Sequence, residues 1–348
     1  MKVGLVGCGK IAEAHLVGFR KASSCVVHGV FDVNREMAEK RAREFRVPRV
    51  FDSVDSLIAE CDVVNVCTPP QTHAEIAFKA LAAGRHLIIE KPMVIRSEDW
   101  LAIRSAAEQA KVSVTVIHNL KFSPCVQQAK RWVDQGRIGR LLRLNRQFVT
   151  DPASDRMLVG TGHWSHGLPG GRWFETLPHE LYLTHWFLGP LPLAGVVAQR
   201  TVDAPPGVRA DEVQVTFKGE RALATVEFSA SCRVNRRMLT LLGTDGAITL
   251  DLLSDFAAIS RVRDGRGMRG VGRLPLEAAG SVLRWLPDRA GYAWRHATGD
   301  SPHTRIIRQF DLYMQGRAPS PTPLDEVDYV VTNCELVGRE IDRQAAAL

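Results

Sequence analysis

Lys2-Val3-Gly4-Leu5-Val6-Gly7-Cys8-Gly9-Lys10-Ile11-Ala12 is the stretch on which the fold turns. A short apolar run passes into glycines spaced G-x-G and then into helix-forming sequence, the strand–turn–helix context in which G-x-G-x-x-G/A has structural meaning. In such a turn Gly7 permits the tight reversal, Gly9 lets a pyrophosphate approach the backbone, and small Ala12 lets the helix pack closely on the sheet. Lys10 and Ile11 open that helix, whose unpaired N–H groups and positive dipole end suit phosphate.

Asp32 closes the next apolar run, at the spacing where a carboxylate accepts hydrogen bonds from both ribose hydroxyls. A carboxylate there repels a ribose 2′-phosphate, so NAD is favoured as cofactor over NADP; the nearby Arg35 keeps NADP as the alternative. The plain alternative for the whole stretch is an ordinary βα turn beside a solvated acid.

Working outward, residues 2–117 alternate β-branched runs with amphipathic helical stretches, the signature of βαβ units and a parallel sheet. Strands are expected at Val3–Val6, Val26–Phe31, Val63–Cys67, His86–Ile89 and Val112–Ile117, with helices near Ile11–Lys21, Arg35–Phe45, Thr72–Ala83 and Glu98–Gln109. Their continuous apolar character implies burial on both faces. After a helix near Cys125–Gln135 the period changes to strict alternation at Leu141–Val149, Val213–Phe217, Ala222–Phe228 and Arg237–Leu242, with Gly243-Thr244-Asp245-Gly246 as a turn. Helices near Thr304–Gln315 and Leu324–Arg343 follow. The expected fold class is α/β: an N-terminal Rossmann doubly wound parallel sheet, then an α+β domain with an open antiparallel sheet.

The 348 residues suit two domains rather than one. Residues 1–120 are read as the dinucleotide-binding domain and 121–348 as a substrate-binding and oligomerisation domain, with C-terminal helices able to pack back on the first. Hydrophobic residues at 45% and charged residues at 24% are ordinary globular values, which argues against disorder. The chain opens directly on a strand, leaving no room for a secretion signal, and no apolar run approaches the roughly 18 residues of a spanning helix. Seven scattered cysteines without a Cys-x-x-Cys pair suit a reducing, cytoplasmic compartment and no metal site. A net charge of +7 favours anionic partners in general, but its dispersion and the lack of a nucleic-acid-binding motif point away from DNA or RNA.

Two further segments overhang the crevice outside the strand ends, Val66-Cys67-Thr68-Pro69-Pro70-Gln71-Thr72-His73 and Ile89-Glu90-Lys91-Pro92. Together with the glycine turn and Asn119-Leu120-Lys121-Phe122-Ser123-Pro124, they make the chain resemble the Gfo/Idh/MocA family of sugar and polyol oxidoreductases over essentially its whole length. The resemblance implies hydride transfer between nicotinamide and a secondary hydroxyl of a sugar, polyol or nucleotide-sugar, and a homo-dimer or homo-tetramer formed through the C-terminal sheet. It places Thr68, Pro69, His73, Glu90, Lys91 and Asn119 with the cofactor.

By the same resemblance, Lys91 faces the substrate hydroxyl and the nicotinamide, where an ammonium stabilises alkoxide character as hydride leaves. The alternative is a surface lysine in a cis-prolyl turn. The family's acid-and-histidine motif falls on Glu175 and His179, giving His179 the role of general base. Glu175 stands where aspartate is common, and Pro178 is expected to put Glu175 at or before the helix start. Lys121, Trp164, His166, Arg172 and Trp173 are expected to contact substrate, although Lys121 replaces an arginine common in relatives; His185 reads as packing. Two other readings stay open: an NAD-dependent glycosidase using transient oxidation, and a non-catalytic NAD-binding regulator. Finally, eight arginines from Arg261 to Arg295, interleaved with Trp285, Tyr292 and Trp294, suggest recognition of a phosphorylated or nucleotide-linked sugar, with a solvated insertion as the alternative.

Overall fold

Strand β1 (Lys2–Val6) is buried at every position after Lys2, as a strand covered by helices on both faces must be. It lies at the centre of a six-stranded parallel sheet with β2 (Val26–Phe31), β3 (Arg49–Val50), β4 (Val63–Val66), β5 (His86–Ile89) and β6 (Val114–Val116), in the order β3-β2-β1-β4-β5-β6. The connecting helices are α1 (Lys10–Phe19), α2 (Arg35–Phe45), α3 (Val54–Glu60), α4 (His73–Ala82) and α5 (Ser97–Ala110). The strand order reverses between β1 and β4, the switch point where ligands bind in such sheets. This is a computed structural model, and it describes residues 1–158, 162–202, 208–261 and 299–347.

Two apolar clusters hold the sheet. Leu5 and Val30 pack with Ala12, Leu16 and Ala38 of α1 and α2, whereas Val64 and Val66 pack with Leu57, Ile76, Leu81, Trp100 and Ile103 of the other helices. Each such large side chain contributes about 1.5–3 kcal/mol on burial. The sequence pattern did not reveal β3 or α3. Two residues are too few to show a period, and α3 announces itself only by its Ser53–Ser56 capping box.

Helix α6 (Pro124–Asp134) precedes a seven-stranded sheet made of β7 (Leu141–Val149), β8 (Leu193–Gln199), β9 (Glu212–Lys218), β10 (Leu223–Ser229), β11 (Arg236–Gly243), β12 (Gly246–Asp251) and β13 (Phe256–Arg261). Its order is β13-β12-β11-β7-β10-β9-β8, and every neighbouring pair is antiparallel except β7 with β10. The parallel pair arises because β10 is laid against β7 only after β8 and β9 have intervened in sequence. Ala224, Val226 and Phe228 alternate inward with Val213, Val215 and Phe217 of β9. β8 and β13 had no clear alternation to mark them.

Two helices complete the described chain, α7 (Arg172–Leu188) being taken up with the site below. Helix α8 (Pro302–Met314) packs on α1 so closely that a Cβ at Gly18 would lie 2.6 Å from Ile307. Asp311 on α8 accepts the N–H groups of Ser23 and Ser24 at 2.9 and 3.0 Å and both their hydroxyls, tying down the turn after α1. Helix α9 (Leu324–Ala345) contributes Val327 and Val331 to the core under the parallel sheet. The chain divides into one unit of Met1–Asn119, Trp164–Tyr182 and Gly299–Arg339 and a second of Leu120–His163, Leu183–Thr298 and Glu340–Leu348. No helix among the described residues is long and apolar enough to cross a membrane.

Candidate active site

The glycine turn has the shape its sequence demands. Gly7 takes φ +93°, and a Cβ there would lie 2.8 Å from the Cys67 backbone, so β1 and β4 converge on it. Its N–H donates to the Phe31 carbonyl at 2.8 Å. Gly9 is the N-cap of α1 with no side-chain cap, and a Cβ on it would meet nothing within 4 Å. The helix therefore presents its first N–H groups to open space. At the end of β2, the Asp32 carboxylate accepts the N–H groups of Cys8 at 2.7 Å and Asn34 at 2.8 Å. Arg35 is turned to acids, Glu39 at 3.0 Å and Asp52. An open anion-binding helix start beside a fixed carboxylate fits a dinucleotide whose ribose carries free hydroxyls.

Lys91 leaves β5 through a cis bond to Pro92. Its ammonium is not a surface charge: it bonds the Glu175 carboxylate and, at 3.1 Å, the Glu175 main-chain carbonyl. The second carboxylate oxygen of Glu175 receives Arg172 at 3.2 Å and the Thr176 hydroxyl at 3.2 Å. Burial works to raise the Glu175 carboxyl, but Lys91, Arg172 and Thr176 outweigh it and hold the group below the usual carboxylate range.

The helix carrying Glu175 starts earlier than expected. Helix α7 begins at Arg172 and includes Pro178 in its interior, so Glu175 lies within the helix rather than at or before its start. Pro178 removes the N–H that would bond the Phe174 carbonyl and loosens the ladder locally. A neighbouring carbonyl, that of Glu175, is the one that Lys91 contacts.

His179 follows one turn after Glu175 on the same helix face. Its Nδ1 lies 2.8 Å from the Tyr182 hydroxyl. Burial and the Lys91 charge push its imidazole well below the usual histidine value, so it stands neutral and able to accept a proton.

Glu90 is buried and accepts His15 Nε2 at 2.7 Å, with His303 Nε2 at 3.6 Å. Burial opposes its ionisation, but the hydrogen bonds from His15 and His303 and the charge on His15 keep it well below the usual range. Burial likewise works against the His15 cation, and Cys67 and Glu90 override it, raising the ring to about 10. His15, Glu90 and His303 bring three ligand-type atoms within 4.8 Å of one another; at 2.7 Å the first two already share a hydrogen. Asn119 Nδ2 faces His303 Nδ1 at 3.4 Å, and Asn119 Oδ1 accepts the Tyr182 hydroxyl at 3.4 Å.

Several expected ligands turn out to be internal. His73 is fully buried with Nε2 at 2.8 Å from the Thr68 carbonyl and Nδ1 at 3.0 Å from those of Pro92 and Met93, so it braces the two overhanging segments and has no surface for a cofactor. Trp173 is buried in the core, and Arg172 is spent on Glu175 and Thr176, so neither presents an open side chain for the substrate contact expected of it. Glu90 acts through histidines and the Lys91 N–H at 3.1 Å. Trp164 and His166 sit half-buried on a short 3-10 turn, where the Trp164 carbonyl accepts Gln71 at 3.4 Å. Thr68 and Pro69 stand at the exposed mouth of β4, beside the glycine turn. Lys121 is buried, and its main-chain carbonyl accepts the Gln127 amide at 2.6 Å. Arg263 through Arg295 lie outside the described residues.

Sequence reasoning missed His15, His303, Tyr182, His118 and Glu326. His15 and Tyr182 sit at helical spacing from Ala12 and His179 and were findable. His303 and Glu326 come from distant sequence, and no local signal connects them to the site.

Residues 1–118 match the family described as "Oxidoreductase family, NAD-binding Rossmann fold", and residues 126–249 match the GFO/IDH/MocA C-terminal domain. The chain belongs to this family. It is an NAD-binding oxidoreductase, as the turn, Asp32 and the Lys91 segment imply. Among its relatives is the levoglucosan dehydrogenase of Pseudarthrobacter phenanthrenivorans, 26% identical over 93% of this chain and 92% of that protein. The UDP-N-acetylglucosamine 3-dehydrogenase of Acidithiobacillus ferrooxidans is 34% identical over 38% of this chain and 41% of its own length. In fold, the chain is similar to the WlbA dehydrogenase of Bordetella pertussis in complex with NADH and UDP-GlcNAcA, with a TM-score of 0.78, 19% identity, and 99% and 96% of the two chains covered.

Proposed function

We propose that the protein is an NAD-dependent dehydrogenase acting on a secondary hydroxyl of a sugar, polyol or nucleotide-linked sugar, and reducing the corresponding ketone in reverse. The observation that carries this reading is the joining of Lys91, at the carboxyl end of β5, to Glu175, with His179 one helical turn beyond. Bound NAD supplies the hydride acceptor. The protein's own groups manage charge and proton. The Lys91 ammonium, held by Glu175, donates to the substrate oxygen and stabilises the alkoxide character that grows on it. Neutral His179 takes the hydroxyl proton. Asn119, Trp164 and His166 are assigned to ligand contact, and no metal is needed. The names of the relatives support the substrate class.

The test is incubation of the purified protein with NAD and a panel of free sugars, inositols, uronates and UDP-sugars. NADH accumulation with at least one, abolished in His179→Ala, is the expected result. Cleavage of a glycoside without net NADH would point to the transient-oxidation glycosidase, and NADH binding without any turnover to a regulator.

We also place a homo-oligomer contact on the outer face of the seven-stranded sheet. Gln147, Glu227, Gln214 and Val197 form one row across four strands there, Val197 being 62% exposed. Glu227→Lys should shift the mass measured by light scattering towards a monomer. A cytoplasmic setting suits the cysteines, all seven unpaired and six buried.

A further inference from the structure

We propose that Tyr182 is a positioning residue for His179, holding Nδ1 so that the lone pair of Nε2 is kept available for the substrate proton. The inference rests on the dehydrogenase reading, since it names what orients the base of that reaction.

The two residues are three apart on α7 and so share a helix face. The Tyr182 oxygen lies 2.8 Å from His179 Nδ1, and the rings meet edge to face at 81° with centroids 5.6 Å apart. Tyr182 itself cannot swing. It is fully buried and stacks on His118 with centroids 4.4 Å apart and planes 21° apart, while His118 Nδ1 is fixed by Glu326 at 2.5 Å.

A bond between an imidazole nitrogen and a hydroxyl runs in either direction, and the surroundings choose. Glu90 accepts hydrogen bonds and donates none. In the neutral ring of His303 the nitrogen facing this carboxylate at 3.6 Å, Nε2, is the one favoured to carry the hydrogen, which leaves the lone pair on Nδ1. That lone pair accepts the Asn119 amide N–H, which turns Asn119 Oδ1 towards Tyr182. Asn119 Oδ1 then takes the Tyr182 hydrogen, and the Tyr182 oxygen accepts from His179 Nδ1–H. The other ring nitrogen of His179 is left with its lone pair, the form a base requires. An amide in the middle does not relay protons as a hydroxyl does, so the chain sets direction and does not conduct.

Tyr182→Phe keeps the ring packing and removes the oxygen. Two readouts are needed: nitrogen-15 shifts of the labelled histidines, with His179 assigned by its absence in His179→Gln, and steady-state kinetics. The wild type is expected to show His179 as the Nδ1–H tautomer without any substrate. In Tyr182→Phe this signal should move towards a tautomer mixture, with kcat lowered about 10–100-fold and KM and NADH affinity changed less than about twofold. Retained NADH affinity shows that the variant is folded; should it fail to fold, Asn119→Leu, which breaks the same chain one step away, gives the tautomer readout. An Nε2–H tautomer in the wild type, or an unchanged tautomer or kcat in the variant, overturns the proposal. Absence of NADH formation by the wild type overturns the dehydrogenase reading instead, and the shifts still decide the role of Tyr182.

Discussion

The Lys91 ammonium contacts two oxygens of a single residue, the carboxylate and the main-chain carbonyl of Glu175. One cation thus binds both a side chain and the helix backbone just before Pro178. The placement of Lys91 depends on the helix as much as on the acid.

Glu175→Gln should therefore weaken Lys91 without releasing it, because the carbonyl bond survives. Loss of one charge-assisted bond is worth about 1.5–3 kcal/mol, so kcat should fall about 10–100-fold. Stopped-flow hydride transfer measures it; an unchanged rate would show that the carboxylate does not hold the reacting lysine.

Lys91→Ala and His179→Ala should each lower kcat about 10²–10⁴-fold, with far smaller changes in NADH affinity. Since the proposed mechanism has both acting on one oxygen and its proton, the double variant should be little worse than the poorer single one. Additive losses in kcat would separate them into independent roles.

The pH profile follows from the direction of the His179 shift. Its folded value lies well below the ordinary histidine range, so the neutral base persists at neutral pH and is lost only as pH falls through that lowered value. The acid limb of kcat/KM for oxidation should lie below about 6.5. A limb at or above that pH would mean that burial and Lys91 do not control the ring.

Asp32→Ala should weaken NAD more than NADP, by about 1–3 kcal/mol, since with Asp32 assigned to the ribose only NAD would lose bonds from both hydroxyls. Titration of both cofactors decides it. Equal losses would mean that Asp32 merely holds the Cys8 and Asn34 N–H groups.

Asp311→Ala should cost about 2–4 kcal/mol at pH 7, because four donors on Ser23 and Ser24 lose their acceptor. Burial opposes ionisation here, but the serine bonds prevail and lower the Asp311 carboxyl well below its ordinary value. Its folded value being depressed, the contribution is whole above the unfolded value near about 4 and fades as pH falls below it. Urea denaturation of wild type and variant at neutral and acid pH should show the gap closing.

Much of the site could be read along the chain. The glycine turn and Asp32 are set by local strand and helix context, as is the alternation that built β7, β9, β10 and β11, whereas Lys91, Glu175 and His179 were legible through the family resemblance. Pro178 misled because proline propensity describes an isolated helix, whereas α7 is held by burial of Trp173, Phe174, Leu177 and Leu181.

A parallel sheet with a dinucleotide turn was legible along the chain, because side-chain period and neighbours a few positions apart set it, whereas the proton-handling roles of Lys91 and His179 came from the family resemblance. The partners of these residues were set by the folded chain. It brought His303 from α8 and His15 from α1 to Glu90, and Glu326 to His118, and it turned His73 and Arg172 inward. A buried polar atom must find its partner wherever the fold supplies one, and the distance along the chain does not enter that choice.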